Sequence, residues 1–302
     1  MRNLATCYGD HAVRVSDSYC SNPLNLSCVA PKSIPSIPNA VSFTYKTKIS
    51  AQKHLFITIT WSPKLICQGF WVKISDKMPS AFIRNCPSSL QLSKTSGAKR
   101  FEACDSEVEL LWDLTNARFD SCPVPISSFY IVILIDSNVG LILGDMEDEP
   151  MVRKATVGLP IGKFLLVSQC EHFTGNKQQY PTKARFCDSG LAHNIMVRCD
   201  VEDEGAKNRI LSVLVDNKSV IKIRRLQWNF RGNEVVCIDG VLVDVMWDVH
   251  GWFYDQGNAV FMLSTRSGSD NRLWLEDKNN LAEMNHDKVE FSLVICASRN
   301  TG

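Results

Sequence analysis

Apolar and polar residues alternate along most of this chain, which is the pattern of strands with one buried face. The clearest runs lie at 55–61, 108–114 and 241–249, where every second residue is Leu, Ile, Val or Trp. Residues 129–135 form an unbroken apolar run instead. That run is too short for an average helix and is typical of a strand covered on both faces.

No stretch shows the longer period of an extended amphipathic helix. Short helices are expected only near 151–156 and 280–285. Residues 1–38 are rich in Ser, Asn, Pro and Cys without periodicity, which predicts a flexible N-terminal arm. The sequence therefore predicts an all-β protein with few short helices.

Two segments of the chain, 105–119 and 239–253, resemble each other. Both begin with an acidic residue, alternate in the same way and contain a Trp-Asp pair, and one single-residue gap aligns them. A repeat of this size in an all-β chain indicates duplicated antiparallel β-sandwich-like units. We expect the first unit to span 39–160 and the second to span 161–302.

Three segments in the second unit carry a resemblance to a known family: 224–233, 239–240 and 247–253. The first reads Arg-Arg-Leu-Gln-Trp-Asn-Phe-Arg-Gly-Asn, and the last reads Trp-Asp-Val-His-Gly-Trp-Phe. They resemble the signature of a plant family catalogued as domain of unknown function 868, and the resemblance extends over nearly the whole chain. Around 85–100 the chain departs from the family's basic, tryptophan-containing strand. The resemblance implies a plant origin but no established activity, so it supplies no catalytic residue.

The charge, hydropathy and cysteine content of the chain limit the possible ligands and cellular compartments. There are 33 Lys and Arg against 32 Asp and Glu, and a net charge of +1 gives no whole-chain signal for nucleic-acid binding. No window approaches 18 uninterrupted apolar residues, which argues against a membrane span. The first seven residues lack the apolar core of a signal peptide, and the 12 cysteines are scattered without a CxxC pair. We therefore expect a cytoplasmic or nuclear protein with no metal ligand and no cofactor.

One basic segment stands out in this neutral chain. Lys222, Arg224, Arg225 and Arg231 lie within ten residues. The apolar alternation changes phase at the two central arginines, so a β-bulge there would return the apolar side chains of 221–230 to one face. The basic residues would then share the other face and attract an anionic group. In the alternative interpretation the arginines protect a sheet edge and pair with Glu234, Asp239 or Asp244.

A second candidate is a polar ridge formed by Asp244, Asp248 and His250. Alternate residues of a strand lie about 6.5–7 Å apart on one face, so this ridge could bind a metal or relay a proton. The first repeat has acids at the two matching positions but Thr115 in place of the histidine. Acids that recur without the histidine favour a structural role, in which Asp accepts backbone hydrogen bonds from a turn.

The remaining polar residues suggest no catalytic site. Glu171-His172 and His193 are candidate partners for a nucleophile, but no G-x-S-x-G elbow and no cysteine with an obvious histidine partner is present. We therefore expect a non-enzymatic interaction or scaffold protein whose basic strand contacts an anionic group or an acidic protein. Two alternatives stay open. One is a lipid- or carbohydrate-binding module that uses exposed aromatics such as Trp71 and Trp252, and the other is a hydrolase-like enzyme that uses the Asp/His ridge.

Overall fold

The chain folds almost entirely as strands. The computed structural model describes residues 39–49, 53–62, 69–78, 90–120, 122–146, 148–175, 178–187, 190–201, 209–254, 257–266 and 290–298. In chain order the elements are β1 (Ala40–Lys48), β2 (His54–Ser62), β3 (Gly69–Ser75), β4 (Leu90–Leu92), β5 (Ser96–Ala103), β6 (Ser106–Asp113), β7 (Arg118–Phe119), β8 (Pro125–Ser127), β9 (Tyr130–Ile135), β10 (Asn138–Gly144), α1 (Pro150–Thr156), β11 (Lys163–Thr174), β12 (Gln179–Ala184), β13 (His193–Val201), β14 (Arg209–Val215), β15 (Lys218–Ile223), β16 (Arg231–Ile238), β17 (Val241–Asp248), α2 (His250–Phe253), β18 (Asn258–Thr265) and β19 (Ser292–Ser298).

The predicted all-β class is confirmed, because the described residues hold only two short helices among their strands. Helix α1 lies where the sequence predicts one, at 151–156, while the helix predicted at 280–285 and the predicted arm at 1–38 lie outside the described residues. No helix in the described ranges is long and apolar enough to cross a membrane.

The strands form one large sheet and three smaller ones. The nine-stranded sheet has the order β16-β17-β18-β19-β11-β1-β2-β3-β4. Two four-stranded sheets have the orders β10-β9-β6-β5 and β12-β13-β14-β15, and β7 pairs with β8. The 12-residue strand β11 joins the two ends of the large sheet, because it pairs antiparallel with β1 and parallel with β19.

Two apolar clusters fill the spaces between sheets. One packs the buried residues of β2 and β3 against those of β6 and β9. The other packs β13 and β14 against β17, β18 and β19. The large sheet thus contributes its β1–β4 end to one cluster and its β16–β19 end to the other. The unit boundary predicted between residues 160 and 161 falls just before β11 and stays a prediction.

Two hairpins, β5-β6 and β16-β17, share the same internal contacts. In each, a glycine faces a tryptophan across the pair: Gly97 faces Trp112, and Gly232 faces Trp247. The indole N–H of each tryptophan donates to the backbone oxygen three residues before that glycine, at 3.0 Å in the first hairpin and 2.8 Å in the second. A glycine is needed at both positions because the indole ring lies across the partner strand. A Cβ added at Gly232 would lie 2.3 Å from Cζ2 of Trp247.

Candidate functional site

The basic segment folds as a loop between two sheets. Strand β15 ends at Ile223 in a four-stranded sheet, and β16 begins at Arg231 in the nine-stranded sheet. Residues 224–229 form turns between them, and Arg225 adopts a left-handed φ of 52°. The predicted β-bulge in one continuous strand is therefore wrong. The phase change in the apolar pattern marks the point at which the chain leaves one sheet for the other.

Hydrogen bonds hold the backbone of this loop in place. Leu226 is fully buried in the apolar cluster of the second half, and its N–H donates to the carbonyl oxygen of Arg209 at 2.9 Å. The N–H groups of Trp228 and Asn229 both donate to the carbonyl oxygen of Arg225, at 2.9 and 3.1 Å. The buried leucine and these turn contacts fix the conformation in which the loop presents its other side chains.

Aromatic rings in and next to helix α2 pack against the loop. The hydroxyl of Tyr254 donates to the backbone oxygen of Gln227 at 3.0 Å. The rings of Phe230, His250 and Tyr254 pack together, with centroids 4.8 to 5.8 Å apart. His250 therefore sits in a ring cluster beneath the loop.

The loop exposes a large aromatic side chain beside its cations. The sequence predicts Trp228 on the apolar face with Leu226, whereas the structure leaves 76% of Trp228 and 56% of Tyr254 exposed. Lys222, Arg224 and Arg225 are exposed on the same segment. We call the following residues the aromatic–basic surface: Lys222, Arg224, Arg225, Trp228, Arg231 and Tyr254.

Arg231 forms an ion pair within this surface. Its Nε lies 2.8 Å from Oδ2 of Asp248, and its guanidinium lies over the ring of Phe230 at 5.8 Å. None of the three acids that the sequence suggested as arginine partners makes this pair. Asp239 contacts a histidine, and Asp244 contacts Arg266.

The predicted polar ridge is divided among separate partners. Asp244 binds Arg266 through both carboxylate oxygens, at 2.7 and 2.8 Å. His250 begins helix α2 after β17 has ended, so its ring leaves the strand face that carries the two aspartates. The structure thus does not bring Asp244, Asp248 and His250 together as one catalytic group.

Asp248 acts as a turn residue, and the first half of the chain has its equivalent. Its Oδ1 accepts the backbone N–H of His250 at 3.0 Å. In the matching hairpin, Oδ1 of Asp113 accepts the backbone N–H of Thr115 at 2.8 Å. Both acids follow the tryptophan that faces a glycine, so the recurring Trp-Asp pair serves the fold of each hairpin.

The aromatics that the sequence suggested as exposed platforms are covered in part or in full. Trp252 is only 6% exposed, and its indole N–H donates to the backbone oxygen of Ala297 at 3.0 Å. Its predicted exposure is wrong because helix α2 turns the ring into the core. Trp71 on β3 is half-buried. Within the described residues, the exposed tryptophan is Trp228, which the alternation rule had assigned to the interior.

His193 joins two hairpin turns on opposite sheets. Its Nδ1 lies 2.6 Å from Asp216 and its Nε2 lies 2.8 Å from Asp239. The two aspartates begin left-handed turns, which continue at Asn217 and Gly240. Hydrogen bonds that the ring donates to both carboxylates raise the pKa of His193, and the histidine in turn lowers the pKa of Asp216. Because both ring nitrogens are engaged, His193 is a structural clamp and a poor candidate for a general base.

Strand β11 carries a buried polar network on one face. The side chain of Gln169 donates to Oε1 of Glu171 at 2.8 Å, and the hydroxyl of Thr182 donates to the same oxygen. Glu171 is buried, which raises the pKa of its carboxyl group despite these hydrogen bonds. All three side chains are buried, so this network lies inside the molecule and not at a binding surface.

The opposite face of β11 carries a cysteine–histidine cluster. Sγ of Cys170 lies 3.5 Å from Nε2 of His172, and Cys296 on the parallel strand β19 completes a group whose donor atoms lie within 4.8 Å of one another. The inference that no cysteine has a histidine partner is therefore wrong. Residues two apart on a strand share a face, which could have indicated the Cys170–His172 pair. The pairing that brings Cys296 alongside is not visible in the sequence.

A cleft of about 690 Å³ opens beside β3, β4 and β5 in the first half of the chain. Its charged lining residues are Lys73, Asp76, Lys99 and Glu102, with Cys104 beside them. Charges of both signs line it in equal number, so it shows no preference for an anionic or a cationic ligand.

The fold and surface together describe an all-β protein of several antiparallel sheets that presents an ordered aromatic and basic loop. The chain belongs to the family described as plant protein of unknown function (DUF868), whose model matches residues 36–299. The resemblance noted in the sequence is thus confirmed. Comparison with curated proteins gave no match, and comparison with solved structures gave none either. The family description names no activity, so the functional argument has to come from the surface itself.

Proposed function

We propose that this protein is a non-enzymatic interaction module that binds an acidic segment of a partner protein through its aromatic–basic surface. The observation that carries the proposal is the exposure of Trp228, at 76%, on a loop whose backbone is fixed by hydrogen bonds. Exposing a large aromatic side chain to water is unfavourable, and burial against a partner would recover on the order of 2 kcal/mol. A fixed loop also loses little conformational entropy on binding.

The residue types of this surface match those that dominate protein interfaces. Trp, Tyr and Arg are enriched among the residues whose truncation costs most binding energy. Arg224 and Arg225 present guanidinium groups, which bind carboxylates through paired hydrogen bonds, and Lys222 adds a third positive charge. Arg231 forms an ion pair with Asp248 at the end of the same segment. We therefore expect Trp228 to supply most of the affinity and the cations to select an acidic partner.

Binding to a lipid or carbohydrate is the second candidate function, and the same two exposed aromatics favour it. Trp228 and Tyr254 could stack on a sugar ring or enter the headgroup region of a bilayer. Titration with anionic vesicles and with oligosaccharides, monitored by tryptophan fluorescence, tests this function. A shift of the Trp228 emission with either ligand would favour lipid or carbohydrate binding over protein binding.

The experiment captures partners from plant extract with wild type and with Trp228→Ala, and identifies them by mass spectrometry. An acidic peptide from the recovered partner is then titrated directly. We expect Trp228→Ala to weaken peptide binding by about 30-fold or more, as a hot-spot truncation of about 2 kcal/mol requires. Its unfolding free energy should stay within about 0.5 kcal/mol of wild type, because the side chain is exposed.

Two further variants sharpen the test. A triple variant with Glu at positions 222, 224 and 225 should abolish binding to the acidic peptide; Arg231 is left unchanged because it pairs with Asp248. Leu191→Ala is the matched control, since Leu191 is 77% exposed and lies outside this surface. Equal peptide affinity for wild type, Trp228→Ala and the triple variant would contradict the proposal.

A further inference from the structure

We propose that Cys170, His172 and Cys296 form a binding site for one zinc ion. The site lies on β11 and β19, shares no residue with the aromatic–basic surface, and is independent of the function proposed for that surface. Cys170 and His172 are two residues apart on β11, and Cys296 pairs with His172 in the parallel register of β19. Three potential metal ligands from two strands therefore converge on one face of the large sheet.

The distance between Cys170 and His172 fits tetrahedral zinc. Zinc binds cysteine sulfur at about 2.3 Å and histidine nitrogen at about 2.0–2.1 Å, which places adjacent sulfur and nitrogen ligands about 3.6 Å apart. Sγ of Cys170 and Nε2 of His172 lie 3.5 Å apart. All three donor atoms lie within 4.8 Å of one another, so small side-chain rotations bring them onto one ion.

A disulfide between the two cysteines does not fit the same backbone. Cys170 faces Val294, and Cys296 lies two residues further along β19. With strands about 4.8 Å apart and an advance of about 3.3 Å per residue, the two Cα atoms are separated by about 8 Å. A disulfide requires less than about 7 Å. The register therefore favours a bridging ion over a covalent bond.

The ligand chemistry selects zinc among common metals. Two thiolates and an imidazole suit zinc, whereas magnesium, calcium and manganese prefer oxygen ligands. Two thiolates, one neutral imidazole and one Zn²⁺ sum to zero charge. That balance matters here because Cys170 and Cys296 are both buried, and an uncompensated charge there would be costly.

His172 supplies a second observation. Its Nδ1 is buried and makes no hydrogen bond within the described structure. Buried polar atoms are nearly always satisfied, so the ring of His172 lacks one of the contacts that usually fix a buried imidazole. No hydrogen bond of the described structure at Nδ1 therefore opposes the small ring rotation that would bring Nε2 onto an ion bound beside Sγ of Cys170.

The test uses the full chain, reduced and stripped of metal, titrated with Co²⁺ as a spectroscopic probe. We expect one Co²⁺ per chain, with thiolate-to-cobalt charge-transfer absorption and the intense visible bands of tetrahedral cobalt, and displacement by Zn²⁺. Cys170→Ser, His172→Asn and Cys296→Ser should each weaken binding by about 100-fold or more, since even outer-sphere changes cost about 10–100-fold. Cys237→Ser is the control, because Cys237 is exposed on β16.

A wild-type titration without charge-transfer absorption would overturn the proposal, as would unchanged affinity in both cysteine variants. If those variants fail to fold by circular dichroism, X-ray absorption of zinc-loaded wild type decides. Two sulfur ligands, one imidazole nitrogen and one further oxygen ligand, water, at the fourth tetrahedral position are expected. Coordination by four sulfurs, or by oxygen and nitrogen alone, would place the ion elsewhere and refute the site.

Discussion

The clamp formed by His193 makes the stability of the second half depend on pH. In the folded protein this histidine contacts carboxylates on two turns, and only 11% of its side chain is exposed. Both contacts are lost on unfolding. Replacing His193 with Asn removes the titrating ring and the bridge between the turns. We expect this change to lower the unfolding free energy by about 1 kcal/mol, a low value because both carboxylates are more than a third exposed and water screens them.

The direction of the pH dependence follows from the two pKa shifts. The pKa of His193 is raised above 6.5, so its contribution is fully present below 6.5 and is lost as pH rises through the raised value. The pKa of Asp216 is lowered from 3.8, so its contribution is present above 3.8 and is lost as pH falls through the lowered value. The difference between wild type and His193→Asn should therefore be largest between about pH 4 and about pH 6.5.

Urea unfolding, monitored by tryptophan fluorescence, measures the difference in unfolding free energy between wild type and His193→Asn from about pH 5 to about pH 9. His54→Asn is the matched control, because His54 lies exposed at the start of β2. We expect the His193 difference to shrink toward alkaline pH while the control shows no such trend. If the difference in unfolding free energy between wild type and His193→Asn stays constant or grows as pH rises, the proposed role of His193 is wrong.

Three further substitutions test other parts of the fold by the same unfolding measurement. Gly232→Ala should lower the unfolding free energy by about 1–3 kcal/mol, and by more than Gly97→Ala does. The new methyl group would lie 2.3 Å from the facing indole at position 232 and 3.0 Å from it at position 97. Equal losses for the two variants would contradict this packing. Glu171→Gln should raise stability near neutral pH by about 1 kcal/mol. Burial raises the carboxyl pKa of Glu171 above 4.5, so wild type loses stability as pH rises from 4.5 through the raised pKa, whereas Glu171→Gln does not. A Glu171→Gln variant that is less stable than wild type at every pH would contradict this account. Asp248→Asn should lower the unfolding free energy by less than about 1 kcal/mol, because asparagine keeps an oxygen that accepts the turn N–H. Asp248→Ala removes that acceptor and should lower the unfolding free energy by about 1 kcal/mol more. Equal losses for the two variants would show that the ion pair with Arg231 dominates.

Sequence patterns predicted the strands well where alternation reports burial directly. The runs at 55–61, 108–114 and 241–249 coincide with β2, β6 and β17 to within two residues, and their alternating apolar positions are buried except for Val241, which is half-buried. The unbroken run at 129–135 becomes β9, whose two faces contact different apolar clusters. In each case the side chain's surroundings follow from its position on a single strand, so the local period was sufficient.

The sites were predicted less well because they depend on contacts between distant segments. Trp228 continues an apolar alternation, and only the change of sheet after Ile223 shows that its ring faces solvent. His193 gains its partners from two turns that lie 23 and 46 residues away. Cys296 reaches Cys170 through a parallel pairing of β11 and β19, and no local pattern signals which strands pair in parallel.

The two matched hairpins separate structural residues from residues of the proposed surface. We propose that they are copies of one unit, since an offset of 135 residues relates Gly97 to Gly232 and Trp112 to Trp247. At the same offset Trp228 corresponds to Ser93, which is exposed and carries no aromatic ring. The glycine–tryptophan contact recurs because each hairpin needs it to fold, whereas the exposed tryptophan does not recur. A residue that the shared fold does not require, and that is unfavourable in water, is best explained by binding, so a partner should recognise the second hairpin and not the first.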